Sequence, residues 1–168
     1  PNQVGNDIWI SISSGSNHST GIKSDGTLWT WGQNNKGQLG DSSFVNKALP
    51  AQIGTDTIWS KIAGGFEHTI GVKSDGTMWA WGEGGYGQLG IGSGFDQIVP
   101  VQVGTSTDWI NIIIDENHNV AMKSDGSLWV WGENTYGQLG VSTGGNTCPL
   151  KPSKAAKEGT KVILGGPR

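Results

Sequence analysis

Histidine, aspartate and tryptophan recur along this 168-residue chain at one fixed interval of 50 positions: His18, His68 and His118; Asp25, Asp75 and Asp125; Trp29-Trp31, Trp79-Trp81 and Trp129-Trp131. Histidines could serve as general bases or zinc ligands, but one per repeat would have to converge from three places. No short-spaced set of Cys, Asp or Glu completes a ligand group around any of them. Each aspartate precedes a glycine, in Ser24-Asp25-Gly26, Ser74-Asp75-Gly76 and Ser124-Asp125-Gly126. In such a turn a carboxylate accepts hydrogen bonds from nearby backbone amides, which is reason enough for its presence. Calcium-loop spacing is missing. The tryptophan pairs could stack on sugar rings if exposed, yet large rings at fixed places among small residues are also what packed sheets need. Lys36, Tyr86 and Tyr136, each followed by glycine in a variable turn, are the better candidates for a ligand loop.

Other chemistries find no footing. Gly82-Glu83-Gly84-Gly85-Tyr86-Gly87 lacks the Lys-Ser/Thr ending and the strand-to-helix setting of a phosphate loop, and no Gly-x-Ser-x-Gly motif marks a nucleophile elbow. Cys148 is the single cysteine, so no intramolecular disulfide or multi-cysteine metal site is available. The reading is therefore of no catalytic residue, no cofactor and no metal, in a chain that is not an enzyme. The net charge of -3 is uneven: Lys151, Lys154, Lys157, Lys161 and Arg168 face only Glu158 in the tail, leaving an acidic body. An acidic body is a poor partner for nucleic acid phosphates. No apolar run is long enough to span a bilayer, so a soluble chain of undefined compartment is expected.

The elements that must position these residues follow from the repeat. Trp31-Gly32 returns as Trp81-Gly82 and Trp131-Gly132, and Gly37-Gln38-Leu39-Gly40 returns as Gly87 to Gly90 and Gly137 to Gly140. With 29 glycines and 9 tryptophans, the composition describes short strands joined by tight turns. In the second unit Trp59 to Ala63 and His68 to Lys73 read as strands, and Asp75-Gly76 as a hairpin turn. Thr77 to Trp81 is the returning strand, and Ile98-Val99 a short one that Pro100 ends. Trp79 and Trp81, two apart on a strand, share a face. A repeating four-stranded unit of this length is a propeller blade, which must stack on neighbours to bury its faces.

These units resemble the repeat of the regulator of chromosome condensation family. The resemblance rests on His68-Thr69, Lys73 to Thr77, Trp79-Ala80-Trp81-Gly82 and Gly87-Gln88-Leu89-Gly90, with equivalents in all three copies over residues 1–148. It implies an all-β propeller, typically of seven blades, each of four short antiparallel strands, with the recurring histidine in the blade framework. The founding member is associated with nucleotide exchange on a small nuclear GTPase; no large insertion interrupts the units here, which argues against transferring that activity. The plant ultraviolet photoreceptor of the same fold carries Gly-Trp-Arg-His-Thr, where this chain has Gly65-Phe66-Glu67-His68-Thr69.

The expected organisation is repeat 1 at 1–49, repeat 2 at 50–99, repeat 3 at 100–149 and a basic tail at 150–168. Within that tail Thr160 to Gly166 begins a fourth repeat with its first strand. Three units and a beginning make an incomplete ring, so closure by oligomerisation is expected, most simply as a homodimer. Ile113-Ile114, where the other copies have small residues, and Val162 and Leu164 in the fourth-unit strand are the candidate interface. The functional expectation is a self-associating scaffold or protein-interaction module. A carbohydrate-binding propeller and an accessory domain of the guanine-nucleotide-exchange kind are the alternatives; sugar ranks below a protein partner.

Overall fold

A computed structural model describes residues 1–141, all of whose regular structure is β. Blade 1 comprises β1 (Trp9–Ser14), β2 (His18–Lys23), β3 (Leu28–Gly32) and β4 (Lys47–Ile53). Blade 2 comprises β5 (Trp59–Gly64), β6 (His68–Lys73), β7 (Met78–Gly82) and β8 (Gln97–Gln102). Blade 3 shows β9 (Trp109–Asp115), β10 (His118–Lys123) and β11 (Leu128–Gly132). The first two are four-stranded antiparallel meanders in chain order; the third has three strands among the described residues. This is part of a propeller. The proposed fourth-unit strand, with Val162 and Leu164, lies outside the described residues.

The strand in front of Pro100 does not stop there. β8 runs on to Gln102, and β4 likewise passes through Pro50. Both are outer-edge strands, and each proline falls where the ladder register shifts, between the pairs Thr30↔Ala51 and Gly32↔Lys47 or Ala80↔Val101 and Gly82↔Gln97. A proline lacking an N–H is tolerated at such an irregular edge.

Alternation along the strands gives every blade two faces. One face of blade 1 (Ile22, Leu28, Ile53) meets the opposite face of blade 2 (Trp59, Ile62, Trp81) in one buried cluster. Val72, Met78 and Val103 of blade 2 meet Trp109, Ile112, Ala121 and Trp131 of blade 3 in the other. The core therefore lies between blades rather than within them. Glycine permits the close approach: at Gly26 and Gly76, both with positive φ, a Cβ would run into the carbonyl of Thr57 or Thr107 on the link to the next blade. The equivalent Gly126 has open space around it, because no blade follows it among the described residues.

Candidate functional site

Polar groups tie the blades together in a circuit that the 50-residue repeat reproduces. Trp81 Nε1 donates to the Gln38 carbonyl at 2.9 Å, and Thr69 Oγ1 donates to the same oxygen at 2.9 Å. With its proton committed, the Thr69 hydroxyl accepts from His18, whose Nε2 is 2.9 Å away. His18 is thus the Nε2–H tautomer. In the next junction Asn119 Nδ2 donates to the Gln88 carbonyl at 2.8 Å, its Oδ1 accepts from His68 Nε2 at 2.9 Å, and Trp131 Nε1 donates to the Gln88 carbonyl at 2.9 Å. Burial pushes both His18 and His68 down to about 4, so both are neutral at physiological pH. A neutral, buried ring held at one nitrogen serves as a structural donor between blades. His118 is half-buried at the end of the arc, with no following blade among the described residues. Among those residues no group of three His, Cys, Asp or Glu side chains could hold a metal.

The aspartates build the hairpin turns. Asp25 Oδ1 accepts from Thr27 N and Thr27 Oγ1 at 3.0 and 2.6 Å, and Thr27 Oγ1 accepts from Trp29 Nε1 at 2.8 Å. Asp75 repeats this with Thr77 and Trp79, and Asp125 bonds the Ser127 amide while Ser127 Oγ takes the Trp129 indole. The hydroxyl and then the amide of Thr27, Thr77 or Ser127 hold these carboxyls below their ordinary range. Lys23, Lys73 and Lys123 each lie over two indoles, for instance 3.4 Å from the Trp29 ring centre and 4.0 Å from that of Trp79. Each is also paired with Asp7, Asp56 or Asp108. Trp31, Trp81 and Trp131 differ from one another: Trp81 and Trp131 are buried in junctions, whereas Trp31 is half-buried on the first free face.

The turns β1–β2, β5–β6 and β9–β10 and the long loops after β3, β7 and β11 share one end of the arc, because alternate strands run the same way. At this loop end Lys36 bridges blades 1 and 2, with Nζ 3.7 Å from Glu83 and 3.5 Å from Asp96. Asp96 above all raises the Lys36 ammonium, and burial raises the Glu83 carboxyl. Nothing in one repeat could reveal this pair, since both acids belong to the next. Tyr86 and Tyr136 hold the equivalent positions, the latter 90% exposed. In all three loops the backbone amide is fixed by a glutamine two residues on: Lys36 by Gln38, Tyr86 by Gln88, Tyr136 by Gln138, at 2.8 to 2.9 Å. Around them stand exposed Phe66 and Phe95, which sequence reading passed over, and the carboxylates Glu67, Asp115, Glu116 and Glu133.

The isoleucine pair is divided between two environments. Ile113 is exposed on the free face of blade 3, and Ile114 packs on the cluster shared with blade 2. The adjoining turn is rearranged: Glu116 takes φ 42°, and Phe66 N donates to the Glu116 carbonyl, whereas Ser16 N donates to Gly65. The acceptor is thus displaced by one residue where Asp115 stands in place of Gly65. No helix of the described residues is long and apolar enough to cross a membrane.

Comparison with known proteins agrees with this geometry. The chain matches yeast RCC1 (Prp20), solved bound to Kap60, at 22% identity with a TM-score of 0.74, covering 82% of this chain and 35% of that one. Human WBSCR16 matches at 22% identity and TM-score 0.71, covering 80% of this chain and 36% of that one. Prp20p from Saccharomyces cerevisiae, described with its binding to Gsp1p and histones, matches at 21% and 0.73, over 80% and 35%. This chain therefore spans about a third of the length of those structures. The likeness corrects one expectation from sequence. A chain that is not an enzyme was expected, but its blades match those of RCC1 itself, the member with which the family's nucleotide exchange is associated, so the missing insertion gives no ground for a non-enzymatic assignment. Patterns for the Regulator of chromosome condensation (RCC1) repeat match residues 25–72 and 75–122, and again 9–38, 59–88 and 116–138. With more than half of its length matched, the chain belongs to the regulator of chromosome condensation repeat family.

Proposed function

We propose that this chain supplies blades of a protein-binding propeller of the exchange-factor kind, and that its loop end receives a small GTPase. One observation carries the reading. The loop end presents Phe66, Phe95, Tyr86 and Tyr136 to solvent among Glu67, Asp96, Glu116 and Glu133, while the blade junctions occupy Trp59, Trp81, Trp109, Trp131, His18 and His68 elsewhere. Exposed aromatic side chains inside a charged rim have the composition of a protein-recognition surface. The carboxylates favour a partner with basic residues around an apolar centre. Prp20p, whose blades these resemble, is described by its binding to Gsp1p, which makes a GTPase of that class the first partner to try.

The test is nucleotide release from Gsp1p loaded with fluorescent GDP, in the presence of the purified chain. Faster release, reduced when Phe95 or Tyr136 is changed to Ala, is the expected result. Release at the intrinsic rate, together with no binding of the GTPase, would overturn the reading.

A further inference from the structure

Between blades 1 and 2, beside their edge strands β4 and β8, lies a groove of about 280 Å³. Both of its walls are described blades, so its shape belongs to the junction itself. Blade 1 supplies Ile53 at the end of β4 and Asp56 on the link that follows; blade 2 supplies Trp59, Lys73, Trp79 and Pro100. Trp59 is 4% exposed, and its indole nitrogen is buried with no hydrogen-bond partner among the described residues. A buried donor left unpaired is destabilising, and folded proteins pair nearly all of theirs. The orientation of the ring shows where this donor points. A Cβ at Gly71 would meet Trp59 Cζ3 and Cε3 at 2.5 and 2.9 Å, so that edge of the indole rests on its own sheet. The N–H is on the opposite edge and faces the blade 1 side of the groove.

The charges of the groove cancel. Lys73 Nζ donates to Asp56 Oδ2 at 2.7 Å and lies over both rings, 4.9 Å from the centre of Trp59 and 4.0 Å from that of Trp79. The lysine side chain is 8% exposed and the aspartate 54%, so the carboxylate stands at the mouth. A charged ligand would upset this balance, and a neutral one leaves it intact. Such a ligand must accept from the Trp59 N–H, donate to Asp56 and cover the apolar surface of Ile53, Pro100 and the half-buried Trp79. Hydroxyl groups both accept and donate, and a sugar ring carries them around its edge while presenting a C–H face to aromatic and aliphatic surface. A volume just below that of drug-sized sites fits a single such ring. We propose that this groove binds a neutral hexose unit, its C–H face toward Trp79 and Pro100 and its hydroxyls on Trp59 Nε1 and Asp56.

The groove uses none of the exposed aromatic side chains of the loop end and no GTPase, so it stands or falls separately from the reading of that surface. The test follows the indole N–H signals of the isotope-labelled chain by NMR while glucose, galactose, mannose and N-acetylglucosamine are added in turn. With at least one of them the Trp59 signal should shift and saturate, with a Kd of about 1–10 mM. That of Trp81, already committed to the Gln38 carbonyl, should hold still. Asp56→Ala removes the acceptor at the exposed mouth and should weaken binding at least about tenfold. Val99→Trp fills the groove from the edge strand β8, leaves every polar group in place and should abolish the shift. Circular dichroism checks that both variants fold, and Phe95→Ala at the loop end should bind sugar as the unchanged chain does. No saturable shift of Trp59 with any of these sugars, equal shifts at Trp59 and Trp81, or undiminished binding by folded Asp56→Ala and Val99→Trp would each overturn the proposal.

Discussion

The face of blade 2 that carries Trp59, Ile62, Thr69 and Trp81 and the face of blade 1 that carries Trp9, Ile12, Ser19 and Trp31 are built by nearly the same residues in the same register. One is core and the other is surface. The difference is made by the neighbour alone: Gln38, His18, Leu28 and Ile22 stand against the first, and no described blade stands against the second. In a propeller, then, burial is a property of the junction and not of the blade. Equivalent substitutions on the two faces should therefore have unequal costs.

The largest contrast is expected at tryptophan. Trp81→Ala removes a wholly buried ring and leaves the Gln38 carbonyl with one donor fewer, which should destabilise by about 3–5 kcal/mol. Trp31→Ala should lose only a fraction of that in the single chain. Urea unfolding of the two variants checks this; equal losses would break the comparison.

Acid should act next, and first on the interior junctions. His18 and His68 have folded values of about 4, below the ordinary 6.5, so the unfolded chain binds protons first as pH falls. Stability is full above pH 6.5 and declines from there toward pH 4, by roughly 3 kcal/mol for each ring. Asp25, Asp75 and Asp125 are held below their ordinary 3.8 and add their own loss only at lower pH. Unfolding midpoints measured between pH 7.5 and 4 should fall, and His68→Gln should flatten the slope.

A smaller pair of effects sharpens the comparison at glycine. Both Gly76 and Gly126 have positive φ, a cost of about 1–2 kcal/mol to any L side chain. Gly76→Ala also forces its Cβ into the Thr107 carbonyl, and Gly126→Ala meets nothing. Thermal melts should rank Gly76→Ala well below Gly126→Ala. Of similar size, Thr69→Val deprives His18 of its acceptor and should cost about 1–3 kcal/mol, while Ser19→Ala, the smallest effect, should fall within about 0.5 kcal/mol of the unchanged chain.

Much of the blade could be read from sequence because it is written locally. Asp75-Gly76 demands a hairpin, and the two-residue spacing of Trp79 and Trp81 puts both rings on one face. The partners of those side chains could not be read, because they lie a repeat away. His18 finds Thr69 and Lys36 finds Glu83 and Asp96, in each case a residue of the following blade. Pro100 was misleading for a related reason. Its missing donor forbids an interior strand, and only the sheet order shows that β8 is an edge where the register already shifts. At the loop end, Phe66 and Phe95 gave no signal because neither belongs to the recurring pattern.

Exchange of the indole protons tests the junction circuit most directly. Trp81 and Trp131 donate to carbonyls of the preceding blade, whereas Trp31 has no acceptor among the described residues. The Trp81 and Trp131 indole protons should exchange slowly and that of Trp31 quickly. Three indoles exchanging alike would contradict the account.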